Sequence, residues 1–314
     1  MNNMTVGIFG DRDFAKEIGK KGTANDIELY NHGSSNSMFT YAVPNSEKIQ
    51  PLLQVLNMID LPVLIINEIN QEIGELMIAI DQIGFEIGYI LLDSSMTKEQ
   101  IEPLIKDTSL AHFNIIAKDT TILRTELENQ NLQKKQTDNV LITIDNYFQV
   151  KSVGTVILGI VNEGTVKKYD KLMLEPLGKE ILIKSIQSKD TDIKEADERT
   201  RVGLCVKGVD VEELRRGQII CTKDLVKKTK TVEIEYQLSR FNKNQLEEGK
   251  QIFICCGLTV STGKITELKD TTLKIETEWD ICYNSELKYL NKVILAGTTQ
   301  KLPRIIGKGI ILNT

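Results

Sequence analysis

Apolar residues along the first part of the chain follow two rhythms. Short β-rich apolar runs occur at Val6–Phe9, Ile27–Tyr30, Met38–Val43, Val63–Ile66, Tyr89–Leu92 and Asn114–Ile116. Between several of them the period is helical, and helices are predicted over Asp13–Lys20, Ser46–Ile59, Gln71–Ile83 and Lys98–Lys106. In the last of these, Ile101, Leu104 and Ile105 fall on one expected face. Lys20–Asp26 reads as a short loop. Ile122–Gln133 reads as a final helix entering a polar link, Gln133–Asp138. Strands alternating with helices across short links predict a mostly parallel sheet with helices on both faces over residues 1–133.

The texture changes over residues 138–225. Short β-runs recur at Leu141–Phe148, Gly154–Ile160, Lys171–Glu175, Ile181–Ile186, Val202–Val206 and Gln218–Ile220, and the one helical stretch is Val211–Leu214. Asn162-Glu163-Gly164 supplies turn chemistry. Regularly spaced short strands predict a closed barrel, because closure removes exposed edges. Residues 226–314 repeat the pattern, with runs at Thr231–Gln237, Gln251–Cys256, Gly263–Thr266, Thr271–Glu276, Lys292–Ala296 and Gly309–Leu312. The expected fold is therefore multi-domain, an α/β part followed by two all-β barrels. Lys227, Lys228 and Lys230 mark the joint between the barrels.

Composition narrows the function classes. Hydrophobic residues at 41% and charged residues at 26% suit ordinary buried cores. A net charge of −5 argues against coating of nucleic acid by overall charge, and leaves room for a local basic patch. The cysteines, Cys205, Cys221, Cys255, Cys256 and Cys282, contain no Cys-x-x-Cys pair, and the two histidines, His32 and His112, lie far apart. A cysteine–histidine zinc site is thus poorly supported, and reduced, partly buried thiols are expected. No basic flank precedes an apolar signal core, and no apolar run reaches the length of a membrane span. A soluble, cytoplasmic protein is expected.

The middle segment carries a specific series of residues. Phe148-Gln149-Val150 precedes Gly154-Thr155-Val156-Ile157-Leu158-Gly159, then Gly164-Thr165-Val166-Lys167 and Asp170-Lys171-Leu172. Lys184-Ser185-Ile186-Gln187, Arg201-Val202-Gly203-Leu204, Lys207-Gly208-Val209 and Leu214-Arg215-Arg216-Gly217 follow. This order resembles the second domain of elongation factor Tu and of the selenocysteine-specific elongation factor, over nearly all of 138–225. The stretch Pro303-Arg304-Ile305-Ile306-Gly307-Lys308-Gly309-Ile310 resembles the closing strand of the family's third domain. The resemblance implies a truncated GTP-binding domain at the N-terminus, and in the family the middle barrel helps hold the acceptor end of a charged tRNA.

The nucleotide motifs can be read against that expectation. A phosphate loop follows Gly-x-x-x-x-Gly-Lys-Ser/Thr between a strand and a helix. Here the stretch reads Gly10-Asp11-Arg12-Asp13-Phe14-Ala15-Lys16-Glu17. Gly10 and Lys16 match. Ala15 replaces the second glycine, and Glu17 replaces the hydroxyl that supports Mg²⁺. Lys16 and Arg12 are left to offset the carboxylates of Asp11, Asp13 and Glu17. The base-reading pattern Asn-Lys-x-Asp becomes Asn67-Glu68-Ile69-Asn70. Asn67 matches, but Asn70 replaces the acid that accepts two guanine N–H groups, so guanine selectivity should fall. The third motif, Asp-x-x-Gly, has its nearest candidate in Tyr30-Asn31-His32-Gly33, which lacks the aspartate. His32 is read either as a water-positioning histidine or as an exposed loop residue.

Gly10, Lys16, Asn67 and Asn70 are therefore the residues of a vestigial nucleotide site, with no catalytic residue, metal or cofactor expected. The expected function is a translation-factor-like pseudo-GTPase that binds tRNA, the ribosome or another translation factor, with no membrane or DNA partner. Two alternatives stay open: a divergent but active GTPase using GTP or GDP with Mg²⁺, and a protein-interaction scaffold outside translation. Candidate RNA contacts on the middle barrel are Lys151, Lys167, Lys168, Lys207, Arg215 and Arg216. Each can equally be a solvated surface charge, and Arg216 can be a turn anchor.

Overall fold

The structure is a computed structural model that describes residues 2–34, 37–133, 137–243, 245–299 and 301–312. Part of the expected polar link Gln133–Asp138, residues 134–136, lies outside the described residues. The first seven strands are β1 Asn2–Phe9, β2 Lys20–Ala24, β3 Ile27–Gly33, β4 Ser37–Pro44, β5 Leu61–Ile66, β6 Tyr89–Leu92 and β7 Asn114–Ala117. Interleaved are α1 Phe14–Ile18, α2 Ile49–Met58, α3 Gln71–Ile83, α4 Lys98–Ile105 and α5 Thr120–Glu128. The strands form one sheet in the order β2-β3-β4-β1-β5-β6-β7. The run β4-β1-β5-β6-β7 is parallel, and β2 and β3 extend it antiparallel.

Sheet alternation explains which helices go where. Met4, Val6 and Ile8 share a core with Phe14 and Ile18 of α1 and with Leu123 and Leu127 of α5. Gly7 points to the opposite face, where a Cβ would come within 2.5 Å of Ile59 at the end of α2 and 2.6 Å of Phe9. Helices thus cover both faces, as strands buried on both sides require. Parallel strands flanked this way place their ligand crevice at the carboxyl ends.

Four expectations are corrected. The first helix ends at Ile18, and Lys20–Ala24 is an edge strand, not a loop; it pairs with β3 from Lys20↔Asn31 to Ala24↔Glu28. Lys20, Lys21 and Gly22 are exposed, so no apolar alternation announces the strand. Leu104 is 41% exposed while Ile101 and Ile105 are buried, so only the i, i+4 pair faces the core. The final helix runs over Thr120–Glu128, because the Asp119 carboxylate caps it by accepting from the N–H groups of Thr121 at 2.7 Å and Ile122 at 2.9 Å. Tyr30-Asn31-His32-Gly33 lies inside β3, fully paired with β4, and is not a loop at a strand end.

The middle segment contains β8 Leu141–Val150, β9 Gly154–Glu163, β10 Thr165–Lys167, β11 Lys171–Glu175, β12 Lys179–Ser188, β13 Thr191–Ile193, β14 Glu195–Asp197, β15 Arg201–Lys207 and β16 Ile219–Cys221, of which β10 and β14 pair as a separate two-stranded sheet beside the barrel. Pairing runs β11-β16-β8-β9-β15-β12-β13, and β11 also pairs β12, which closes the barrel. Its centre is aliphatic, including Ile144, Ile157, Leu174, Ile183 and Leu204. Val211–Glu213 is a single 3-10 turn. The last barrel is closed in the order β17-β20-β19-β18-β21-β22. Its elements are β17 Lys227–Leu238, β18 Gln251–Cys256, β19 Thr259–Leu268, β20 Thr272–Tyr283, α6 Lys288–Asn291, β21 Lys292–Gly297 and β22 Ile305–Ile311.

Two compact units divide the chain. One holds Met1–Leu132, Tyr236–Ile254 and Ile294–Gly309, and the other holds Gln133–Glu235, Cys255–Val293 and Ile310–Thr314. Strands of the last barrel are therefore divided between the two units. Within the first unit, Arg304 makes a buried ion pair with Glu75 of α3. Its Nε donates to both carboxylate oxygens at 3.1 Å, its backbone N–H donates to Oε1 at 2.6 Å, and Nη1 donates to the Glu47 carbonyl at 2.6 Å. Glu75 and Arg304 are 4% and 9% exposed. A pair so dehydrated holds only because every oxygen and guanidinium edge finds a partner.

Candidate nucleotide crevice

The carboxyl edge of the sheet is where the loops after β1, β5 and β7 meet. Gly10 leaves β1 at φ +87°, and a Cβ there would sit 2.1 Å from the Ile65 carbonyl of β5. Glycine is needed here for the packing of two strands, whatever the loop binds. The next residue, Asp11, is the centre of the crevice. Its Oδ1 accepts from the backbone N–H of Asp13 at 3.0 Å and of Phe14 at 3.3 Å. Its Oδ2 accepts from Lys118 Nζ at 2.7 Å and from Asn67 Nδ2 at 3.3 Å. Lys118 also donates to Asn67 Oδ1 at 3.1 Å, closing a triangle. Burial pushes Asp11 upward, but the hydrogen bonds and charge of Lys118 and the bond from Asn67 outweigh it and hold the carboxyl below its ordinary range.

Of the residues expected at a nucleotide site, the structure brings Gly10 and Asn67 together and leaves the other two aside. Lys16 is 59% exposed and ion-paired with Asp13 on its own helical turn. Asn70 is the N-cap of α3: its Oδ1 accepts from Ile73 N–H at 2.9 Å, and its Nδ2 donates to Glu68 at 2.9 Å. Arg12 donates to Asn45 at 3.3 Å, and Glu17 is exposed. His32 is a half-buried strand residue, with its protonation disfavoured first by burial and then by Arg124, so the reading of it as an exposed loop residue does not apply.

Lys118 escaped the sequence reading. The signal available was positional: a lysine directly after the last parallel strand points to the crevice edge. Asp11 was visible only as an acidic departure from the loop pattern.

The middle-barrel candidates separate by what they touch. Lys151, Lys167, Lys168 and Lys207 are exposed. Arg215 lies 4.0 Å over the Trp279 ring of β20, with Asp280 and Glu278 near enough to act on its charge. Arg216 is half-buried, and its Nε donates to the Asp145 carbonyl at 2.9 Å, which makes it the turn anchor. The cysteines are buried thiols, not joined in disulfides. Burial pushes the Cys221 and Cys256 thiols up to about 12, and thiols held protonated are poor nucleophiles and ligands. Among the described residues, no helix is long and apolar enough to cross a membrane.

Comparison with known proteins bears on both regions. Residues 154–221 match the family model described as Elongation factor Tu domain 2. The chain is 35% identical over 312 residues to an uncharacterized protein of Methanocaldococcus jannaschii, covering 98% of this chain and 99% of that one. The selenocysteine-specific elongation factor of the same organism is 30% identical over 173 residues, or 51% of this chain and 36% of the factor. The chain thus matches about a third of that factor's length. Among solved structures, translation elongation factor SelB from Methanococcus maripaludis in its apo form superposes with a TM-score of 0.80 at 20% identity, covering 100% of this chain and 80% of that one. A bacterial selenocysteine-specific elongation factor gives 0.80 at 18% identity, over 99% and 58%.

Proposed function

The chain belongs to the elongation factor Tu-like family of translation GTPases, and from that premise we propose that it is a binding module for tRNA, the ribosome or another translation factor, working without a nucleotide switch. The observation that carries this reading is the Asp11 carboxylate seated on the loop amides, Lys118 and Asn67. The loop amides of Asp13 and Phe14 are the kind of donor that a phosphate loop offers to phosphate. An incoming phosphate would have to displace a carboxylate already neutralised by its partners, and would meet like charge.

A magnesium–guanine nucleotide does not fit the remaining side chains either. Glu17 stands where a hydroxyl would support the metal. Lys16 turns to Asp13. Asn70 already lends its oxygen to the Ile73 N–H, and an amide cannot accept both guanine N–H groups as a carboxylate does. Hydrolysis in this class is positioning and charge neutralisation by those groups, and no step through the nucleotide is derived for this chain. The scaffold survives because the strands and helices around the crevice are held by their own core.

Cosedimentation with ribosomal subunits and gel-shift with charged tRNA, each run with and without GTP, test the proposal. Equal binding in both conditions is expected for at least one partner. Binding that appears only with GTP would overturn it.

A further inference from the structure

Away from the crevice, the turn between β10 and β11 presents an aromatic ring in an unusual way. Tyr169 is 67% exposed, and its backbone lies at φ +75°. That left-handed conformation is unfavourable for a bulky residue, while glycine adopts it freely. The turn is firmly fixed: Lys167 N–H donates to Asp170 Oδ2 at 2.7 Å, and Tyr169 N–H donates to the Ile183 carbonyl of β12 at 2.8 Å. A fixed turn that carries a large ring outward at a strained position points to contact with something outside the chain.

The surroundings are basic. Lys168 Nζ lies 5.0 Å from the ring centroid. The Lys168 N–H donates to the Lys194 carbonyl at 2.9 Å, which sets Lys194 alongside. Lys184 follows the Ile183 that holds the turn, and Lys167, Lys171, Lys184 and Lys194 are all exposed. The acids named nearby are Asp170, which accepts from the Lys167 N–H, Glu180, which ion-pairs with Lys171 at 3.4 Å, and Glu195, opposite Lys167 in the β10–β14 register. Lys167, Lys168, Lys171, Lys184 and Lys194 stand against these three acids, a balance opposite in sign to the net −5 of the chain.

We propose that the Lys168–Tyr169 edge binds single-stranded RNA, with the Tyr169 ring stacking on an unpaired base and the surrounding lysines meeting phosphates. A flat exposed ring bordered by lysines matches the alternation of base and phosphate in a single strand; an acidic peptide would use the lysines and leave the ring without a partner. This assignment rests on the reading of the chain as a translation-type binding module and names the partner's chemistry on its middle barrel.

Fluorescence anisotropy with a labelled oligoadenylate tests it, using the full chain and the variants Tyr169→Gly and Tyr169→Phe. The wild type and Tyr169→Phe should bind alike, with affinity falling as salt rises. Tyr169→Gly should bind about tenfold to a hundredfold more weakly, with an undiminished thermal midpoint because glycine accepts the turn's φ. Equal binding by Tyr169→Gly would remove this site while leaving the module reading intact. Preference for poly-glutamate over the oligonucleotide, or binding of neither, would overturn the RNA assignment. The nucleotide dependence of tRNA and ribosome binding tests the broader reading separately.

Discussion

The crevice at the carboxyl edge of the sheet and the outer surface of the middle barrel spend their polar groups in opposite ways. In the crevice, Asp11, Asn67 and Lys118 bond one another, and Asn70 and Asp119 bond the first amides of their own helices. On the barrel, Lys151, Lys167, Lys168 and Lys207 are exposed. A ligand entering the crevice competes with partners already in place, whereas one arriving at the exposed lysines of the barrel competes mainly with water. The polar groups of the crevice satisfy one another, while an apolar core holds the sheet beneath them.

The comparison can be broken or sharpened by substitution. The largest effect should come from outside both regions. Glu75→Ala leaves the Arg304 guanidinium buried without its carboxylate and should cost about 3–5 kcal/mol in urea unfolding. A loss below about 1 kcal/mol would mean that the pair is solvated. Next, the barrel candidates should differ among themselves. Arg216→Ala removes a half-buried donor from the Asp145 carbonyl and should cost about 1–2 kcal/mol, while Lys151→Ala should stay within about 0.5 kcal/mol. Equal losses would show that the lysines are as structurally committed as Arg216.

The smallest effect concerns acid stability. Asp11 is held below its ordinary value of 3.8 in the folded protein. A lowered folded value contributes stability that is complete above the unfolded value and is lost as pH falls through the folded one. Asp11→Asn keeps an oxygen for the helix amides but cannot ionise, so its stability should change less with acid below about pH 4 than the wild type's. Superimposable acid-unfolding curves, followed by circular dichroism, would mean that the carboxylate is not held by Lys118.

What could be read along the chain was local. The helix Gln71–Ile83 is bounded where its signals lie, with Asn70 capping the start and Gly84 at φ +72° ending it. The barrel strands were legible because one face alternates into an aliphatic core. The edge strand Lys20–Ala24 was not, since both its faces carry polar or small residues. The three-residue strands β10, β13 and β14 are short and mostly polar or exposed, so they show no apolar run, unlike the equally short but fully buried β16. At the crevice, Gly10 and Asn67 could be placed by motif, but the Asp11–Lys118 pair spans 107 positions. Only the parallel order of β1, β5, β6 and β7 brings those two residues together, and no spacing along the chain encodes it.

Isothermal titration of the purified chain with GTP and with GDP, each with magnesium, bears most directly on whether the crevice is closed from within. No heat of binding is expected at micromolar nucleotide. A dissociation constant in the micromolar range or tighter for either nucleotide would contradict the account.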